Sequence, residues 1–166
     1  MPRNFNTRLA GQIGESLVVA ELGRRGIVAT AFSGNVPDID LLAYRDGCTI
    51  ALQVKSLRTG SVSFDAKRFM TIEFDGDRQI IAETVAALDI ALIFVFVSIG
   101  QQMGDDRFFI LDQGTLQRIV QSNHSAWLAK HGGRRPRNPQ STHTAVSFTQ
   151  LAHYRDNWAL IEERLK

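Results

Sequence analysis

The sequence is poor in cysteine and in long apolar segments. Cys48 is the single cysteine among 166 residues, so an internal disulfide and a zinc site built from several cysteines are both excluded. We expect Cys48 to be a half-buried residue on a strand. The most apolar segment, residues 90–97, is far shorter than the ~20 residues of a membrane-spanning helix and predicts a buried strand. The N-terminus has no apolar signal segment, so we expect a cytoplasmic protein without a membrane partner.

The motifs of several large enzyme classes are also missing. There is no Gly-rich phosphate loop, no dinucleotide-binding fingerprint and no Gly-x-Ser-x-Gly elbow. His124, His143 and His153 lack the spacing of metal ligands. What is present is typical of a soluble globular protein, with 44% hydrophobic residues, 22% charged residues and a net charge of +2. The length predicts a single domain over residues 1–166.

Apolar periodicity and turn residues predict a chain of helices and strands. We expect a first helix ended by Gly26, then three strands, the last two joined by a tight turn at residues 45–47. The predicted strands are 27–32, 39–44, 49–54, 69–74, 90–97, 107–111 and 145–148; the predicted helices are 8–25, 77–88, 115–130 and one or two within 149–166. This order predicts an α/β fold with a mixed central sheet flanked by helices. The core covers about residues 7–112, and a C-terminal helical extension covers about 113–166.

Three polar side chains are expected at a sheet that is otherwise apolar. Gln53 and Lys55 alternate with Val54 along a predicted strand and so share a face, and the turn before them brings Asp40 close. Buried polar groups cost free energy unless they are paired or bind a metal. Magnesium would explain them, because it prefers oxygen ligands such as the Asp40 carboxylate and the Gln53 amide oxygen. Lys55 cannot bind a cation, but it can orient or deprotonate a water molecule, or stabilise charge that develops on phosphorus.

Glu15 is a fourth candidate for the same site. It lies midway along the first predicted helix, among the small residues Gly11, Gly14 and Ser16. Glycine is a poor helix former, so its presence here predicts a close approach of the helix to the sheet or to a ligand. Glu15 could then face the metal directly or hold a metal-bound water molecule.

These residues resemble the motif of the PD-(D/E)XK nuclease superfamily, which includes restriction endonucleases, Holliday-junction resolvases and repair nucleases. The matching segments are Gly14-Glu15 in the helix, Pro37-Asp38-Ile39-Asp40 at a strand start, and Gln53-Val54-Lys55 in the next strand. The resemblance implies a restriction-endonuclease-like αβββαβ core and an endonuclease that hydrolyses phosphodiester bonds with Mg²⁺ or Mn²⁺. Glu15 would be the helix acid and Asp40 the strand aspartate. Gln53 would be the second metal ligand and Lys55 the catalytic lysine.

Two positions in the motif leave alternatives open. Asp38 follows Pro37, as in the family's name, whereas Asp40 lies inside the predicted strand; we favour Asp40, with Asp38 as the alternative metal ligand or a supporting group. Gln53 stands where most members have Glu or Asp. The alternative function is therefore a catalytically inactive nucleic-acid-binding or protein-interaction module on the same fold. The resemblance implies a nucleic-acid partner, expected to be DNA, and is compatible with a homodimer.

Basic and aromatic residues outside this motif suggest further contacts. Arg134, Arg135 and Arg137 lie in a proline-containing loop, and Lys67 and Arg68 follow the predicted active strands. We expect these five residues to contact nucleic-acid phosphates, with a merely solvated basic surface as the alternative. The two tryptophans have helical spacing from other apolar residues and are expected in the core rather than stacked on bases: Trp127 and Trp158.

Overall fold

A computed structural model describes residues 3–32, 37–58, 60–84 and 91–166. The α-helices in these ranges are α1 (Arg3–Arg24), α2 (Gln113–Lys130) and α3 (Ala159–Arg164), and short 3₁₀ helices cover Ala66–Arg68 and Ala152–Tyr154. The strands are β1 (Val28–Ala31), β2 (Leu41–Arg45), β3 (Cys48–Leu57), β4 (Ser61–Asp65), β5 (Met70–Asp75), β6 (Arg78–Thr84), β7 (Ile93–Ser98), β8 (Arg107–Asp112) and β9 (His143–Ser147).

Five strands form the central sheet, in the order β1-β2-β3-β7-β8. β3 and β7 run parallel, and the other neighbouring pairs are antiparallel. Two further antiparallel pairs, β4 with β9 and β5 with β6, lie outside this sheet. The structure thus confirms the predicted α/β fold with a mixed central sheet flanked by helices.

Two apolar cores, one on each face of the sheet, hold the helices in place. β7 contributes to both because its side chains alternate: Ile93, Val95 and Val97 pack in the core with α1 and α3, whereas Phe94 and Phe96 pack in the core with α2. All five are buried. This confirms the buried strand predicted at 90–97, although β7 begins at residue 93. The predicted core position of Trp158 is also confirmed, since it is buried between α3 and the sheet.

Turn residues end the first elements as expected. Gly26 has a φ of 72°, and the amide of Gly26 donates to Gly23 O while the amide of Ile27 donates to Leu22 O, which is the hydrogen-bond pattern of a Schellman C-terminus. Asp46 and Gly47 have φ values of 51° and 88°, as a two-residue type I′ hairpin requires between β2 and β3. Both predicted stops are therefore confirmed.

The predicted helix over residues 77–88 is wrong where the structure describes it. Arg78–Thr84 is strand β6, which pairs antiparallel with β5; residues 85–88 lie outside the described residues. The turn between the two strands contains Gly76, with a φ of 57°. Because Asp75 pairs with Arg78, the loop consists of Gly76 and Asp77, and a two-residue loop that begins with glycine is a hairpin signal. Turn chemistry therefore prevailed over an apolar spacing that fits a helix.

The C-terminal residues after β9 contain two short helical segments, in agreement with the predicted one or two helices within 149–166. Cys48, at the start of β3, is half-buried as expected. In the ranges that the structure describes, no helix has the length and hydropathy needed to span a membrane.

Candidate active site

The candidate site forms where β2 and β3 separate. Their pairing ends at Leu41 opposite Leu52, and the amide of Asp40 still donates to Leu52 O at 2.9 Å. Two residues further along β3, the partner of the strand is a side chain instead of a backbone: the Val54 amide donates to Asp40 Oδ2 at 2.7 Å. Asp40 is thereby fixed beside Gln53 at the open edge of β3, as the hairpin predicted.

Gln53 and Lys55 project from the opposite face of β3 to Val54. Val54 packs in the core with α1, whereas Gln53 and Lys55 lie in register with Phe94 and Phe96 of the other core. Gln53 is only 4% exposed, and its Oε1 has no hydrogen-bond partner among the described residues. A buried acceptor without a partner costs about 1–3 kcal/mol. Such an oxygen is available to a bound cation.

Helix α1 brings Glu15 to the same edge by packing unusually close to β3. A Cβ on Gly14 would lie 1.7 Å from Ser56 Oγ and 2.6 Å from Ser56 Cβ, so only glycine fits at this contact. The Ser56 hydroxyl is itself buried and has no partner among the described residues. The close approach that the small residues predicted is therefore present, and Glu15 follows directly after the contact residue.

Electrostatics link Glu15 to the strand residues. Burial raises the pKa of Glu15 above its ordinary value of 4.5, the negative charge of Asp40 raises this pKa further, and the positive charge of Lys55 offsets part of the increase. These effects require the three charged groups to lie within Coulombic range of one another. The structure thus brings together Glu15, Asp40 and Lys55, and Gln53 lies beside Asp40 on β3.

Asp38 is placed differently from Asp40. It lies in the turn before β2 with a φ of 67°, and its carboxylate is half exposed and accepts a hydrogen bond from Arg68. Because β2 begins only at Leu41, Asp38 and Asp40 do not share a strand face. The ion pair with Arg68 makes Asp38 better suited to a supporting position than to the centre of the site.

The donor set fits a hard divalent cation. Glu15 and Asp40 supply carboxylates and Gln53 supplies a buried amide oxygen, and oxygen donors of this kind are preferred by Mg²⁺ and Mn²⁺. No cluster of three or more His, Cys, Asp or Glu suited to a metal occurs among the described residues. That result is compatible with a site of two carboxylates in which the third protein donor is an amide.

The predicted phosphate-contacting residues occupy two regions. Lys67 and Arg68 follow β4, next to Asp38 and thus near the candidate site. Arg134 and Arg137 are exposed in the loop after α2. Arg135 is engaged within the protein, because its guanidinium lies 4.5 Å from the centre of the Trp127 ring and donates to His143 O.

Trp127 differs from the expected core position. It is half-buried at the surface of α2, stacked on His131 with ring centres 3.8 Å apart, and it carries Arg135 on its ring. Its apolar spacing along the helix predicted burial. The basic loop that folds back over α2 is not visible in that spacing, and this loop provides the actual neighbours.

No protein-family model matches the chain, and no curated protein sequence matches it. Among solved structures, the fold is similar to that of a bacterial homing endonuclease, I-Ssp6803I, with a TM-score of 0.52. The similarity covers 95% of this chain and 94% of that one, at 14% sequence identity. At this level of identity the similarity concerns the fold.

Proposed function

We propose that the chain is a metal-dependent endonuclease of the PD-(D/E)XK type that hydrolyses phosphodiester bonds in DNA, with residues 1–166 as one nuclease-like domain. The observation that carries the proposal is the convergence of Glu15, Asp40, Gln53 and Lys55 at the point where β2 and β3 separate. The similarity in fold to a homing endonuclease over almost the whole chain supports it.

Each residue has a role that its surroundings favour. Asp40, Gln53 and Glu15 would hold Mg²⁺ or Mn²⁺, with Asp38 as a supporting group through Arg68. Such an ion, when bound, neutralises phosphate charge and lowers the pKa of bound water. The ammonium group of Lys55 would orient the attacking water molecule or stabilise negative charge that develops on the phosphate.

The distribution of charge supports a nucleic-acid substrate. Residues 113–155 contain six Lys or Arg and no Asp or Glu, although the net charge of the whole chain is only +2. The other residues therefore carry a net negative charge, and basic side chains are concentrated where α2, its following loop and β9 lie. Arg134, Arg137, Lys67 and Arg68 would contact the DNA backbone, while Arg135 would support the loop from its position on Trp127.

A plasmid-nicking assay with Mg²⁺ or Mn²⁺ tests the proposal. We expect wild-type protein to nick supercoiled DNA, and Lys55→Ala to reduce the rate by at least about a hundredfold, since a positioned proton-transfer or charge-stabilising group contributes that much. Lys166→Ala, which removes an exposed lysine at the C-terminus, serves as the matched control and should retain the wild-type rate.

The same assay separates the proposed enzyme from the inactive module. Equal nicking rates for wild type and Lys55→Ala would contradict the role given to Lys55. Calorimetric titration with Mn²⁺ should detect binding to wild type and a much weaker signal for Asp40→Asn. Absence of Mn²⁺ binding and of nicking, together with retained DNA affinity, would favour a nucleic-acid-binding module in which Gln53 has weakened the metal site.

A further inference from the structure

A polar cavity opens at the carboxyl ends of the parallel strands β3 and β7. Its volume is about 650 Å³, and we call it the arginine cleft because three arginines line it, Arg58, Arg107 and Arg155. These arginines come from three distant parts of the chain: the end of β3, the start of β8 and the segment before α3. In open α/β sheets, ligands bind in the crevice outside the carboxyl ends of the strands.

Strand register relates the arginine cleft to the candidate active site. Lys55 lies opposite Phe96, Phe96 opposite Phe109, and Phe109 forms a bridge with Arg155. With strands ~4.8 Å apart and residues ~3.3 Å apart along a strand, the backbone of Arg155 lies about 14 Å from Lys55, and that of Arg58 about 10 Å away. The cleft is therefore near the candidate site but separate from it.

The charges of the cleft leave two arginines available for an anion. Arg58 and Arg107 are exposed and form no ion pair with any residue that the structure describes, whereas Arg155 contacts Asp156 at 3.3 Å. Asp105 and Asp106 also line the cleft. The Asp106 carboxylate accepts a hydrogen bond from the Gly100 amide at 2.9 Å. This bond joins the two ends of residues 99–106, the loop between β7 and β8 that forms the rim of the cleft and that we call the rim loop.

Close packing within the rim loop makes the cleft a formed feature of the fold. A Cβ on Gly100 would lie 2.3 Å from the Asp105 Cβ and 2.8 Å from its carbonyl carbon. The loop between β7 and β8 is thus folded tightly on itself, with Ser98 paired to Arg107 at its base. Arg107 is held at a fixed position at the base of this loop, across from the end of β3.

We propose that the arginine cleft binds a backbone phosphate of the DNA strand, a few nucleotides from the phosphate to be cleaved; this rests on the proposed function. Guanidinium groups match phosphate geometry and can bind it through two hydrogen bonds. The separation of about 10–14 Å from Lys55 is within the reach of a few nucleotides of one DNA strand, each of which rises ~3.4 Å along the helix axis. The cleft contributes affinity and registers the strand, and it takes no part in bond breaking.

The experiment measures binding of a fluorescently labelled duplex DNA in EDTA, where metal-dependent cleavage cannot interfere. Arg58→Gln/Arg107→Gln is compared with wild type between about 50 and 200 mM salt. Each lost phosphate contact should reduce the slope of log affinity against log salt by about 0.9. For each such contact, a tenfold decrease in salt then strengthens binding of the variant by about eightfold less than it strengthens binding of wild type. Arg58→Lys/Arg107→Lys keeps the charge and should restore most of the slope.

The matched control removes two positive charges at the other end of the sheet. Arg24 ends α1 and Lys166 follows α3. At this end of the sheet, Arg25 and Arg45 donate hydrogen bonds to the side chain and the backbone carbonyl of Glu162, respectively. Arg24→Gln/Lys166→Gln should bind DNA with the wild-type salt slope. Thermal melts of every variant check that each is folded.

The outcomes separate this proposal from the proposed enzyme. A reduced slope for the Gln pair, with normal slopes for the Lys pair and the control, supports the cleft even if no metal activates nicking. An unchanged slope, or a loss of affinity without a change in slope, overturns the cleft while leaving the nuclease intact. No binding of DNA by the wild-type protein overturns the cleft as well.

Discussion

The carboxyl group of Glu15 lies where its charged form is disfavoured. Burial and the neighbouring Asp40 both raise the pKa of Glu15 above 4.5, and Lys55 compensates only in part. A carboxyl group whose pKa is higher in the folded than in the unfolded state lowers the free energy of unfolding as the pH rises above the unfolded pKa, and this penalty is complete above the folded pKa. Below the unfolded pKa the penalty vanishes, because both states are protonated. At neutral pH, without a cation, Glu15 therefore weakens the protein.

We predict that Glu15→Gln raises the melting temperature of the metal-free protein at pH 7 and lowers the nicking rate by on the order of a hundredfold. The gain follows from removing a disfavoured charge; the loss follows from removing a metal-binding carboxylate. Thermal melts in EDTA and nicking assays in Mg²⁺ measure the two effects. Glu21→Gln is the control, because Glu21 pairs with Arg24 on the same helix and should show neither effect. A lower melting temperature for Glu15→Gln in EDTA would contradict the prediction.

Mg²⁺ should also raise the melting temperatures of wild type and Glu15→Gln by different amounts. A ligand that binds only the folded state at a hundred times its Kd stabilises it by about 2.7 kcal/mol. Wild type should therefore gain more melting temperature from Mg²⁺ than Glu15→Gln does.

The proximity of the candidate residues was predictable because each is a polar residue in or beside an apolar segment. Gln53 and Lys55 interrupt an apolar strand and Asp40 directly precedes another, and a short hairpin brings these two strands together. Their catalytic roles remain proposals. Arg58 and Arg107 gave no such signal, because an arginine at a strand end is ordinary. Only the parallel pairing of β3 with β7 and the pairing of β8 beside it bring them to one cleft.

Local turn residues indicated the helices and strands more reliably than apolar periodicity did. α1, β2, β3 and β7 were predicted within a few residues because each has one clear period or one clear stop. β6 was predicted as a helix because its apolar residues also have a spacing that fits a helix, whereas the Gly76-Asp77 turn before it favours a hairpin. β4 (Ser61–Asp65) was not predicted, since it alternates serine with apolar residues over only five positions and its partner β9 lies about eighty residues later.

The contact between α1 and β3 can be tested with two glycines of the same helix. Gly14→Ala should destabilise the protein by about 1–3 kcal/mol, because its Cβ would overlap Ser56 and push α1 from the sheet. Gly11→Ala has open space around the new Cβ and should stabilise the protein by up to about 1 kcal/mol through helix propensity. Urea unfolding of both variants measures the difference in free energy of unfolding.

A second substitution checks the cause. Ser56→Gly removes the atoms that the new Cβ would meet, so the double variant Gly14→Ala/Ser56→Gly should be less destabilised than the sum of the single variants. Additive effects would place the cost of Gly14→Ala elsewhere. Because Glu15 follows Gly14, Gly14→Ala should also lower the nicking rate. The double variant Gly14→Ala/Ser56→Gly should recover part of that rate.

At the scale of the whole molecule, one buried histidine joins three elements that are far apart in sequence. His124 of α2 is fully buried, with its Nδ1 2.7 Å from Thr144 Oγ1 of β9 and its Nε2 3.0 Å from Gln79 Oε1 of β6. The Gln79 amide donates to the carbonyls of Pro139 and Ser141, so Nε2 of His124 must be the protonated nitrogen. Nδ1 also faces the Arg135 guanidinium at 3.5 Å, which can only donate, so Nδ1 is an acceptor and the histidine is neutral.

Protonation of His124 would disrupt this junction. Burial, followed by the positive charge of Arg135, lowers the pKa of His124 from 6.5 to about 4, and the negative charge of Asp65 opposes this shift. In the unfolded chain His124 therefore binds a proton below about pH 6.5, whereas in the folded protein it does so only below about pH 4. This contribution to stability is complete above pH 6.5 and is lost as the pH falls toward 4.

We predict that lowering the pH from 7 to 5 reduces the free energy of unfolding by about 2 kcal/mol through His124 alone. Carboxylates elsewhere add their own pH dependence, so the measured quantity is the difference between wild type and His124→Asn in urea unfolding at both pH values. His124→Asn should be less stable at pH 7 but lose less stability on acidification. His153→Asn, which replaces an exposed histidine, should behave like wild type. Equal losses in wild type and His124→Asn would show that the imidazole is charged, or free to become charged, in the folded protein.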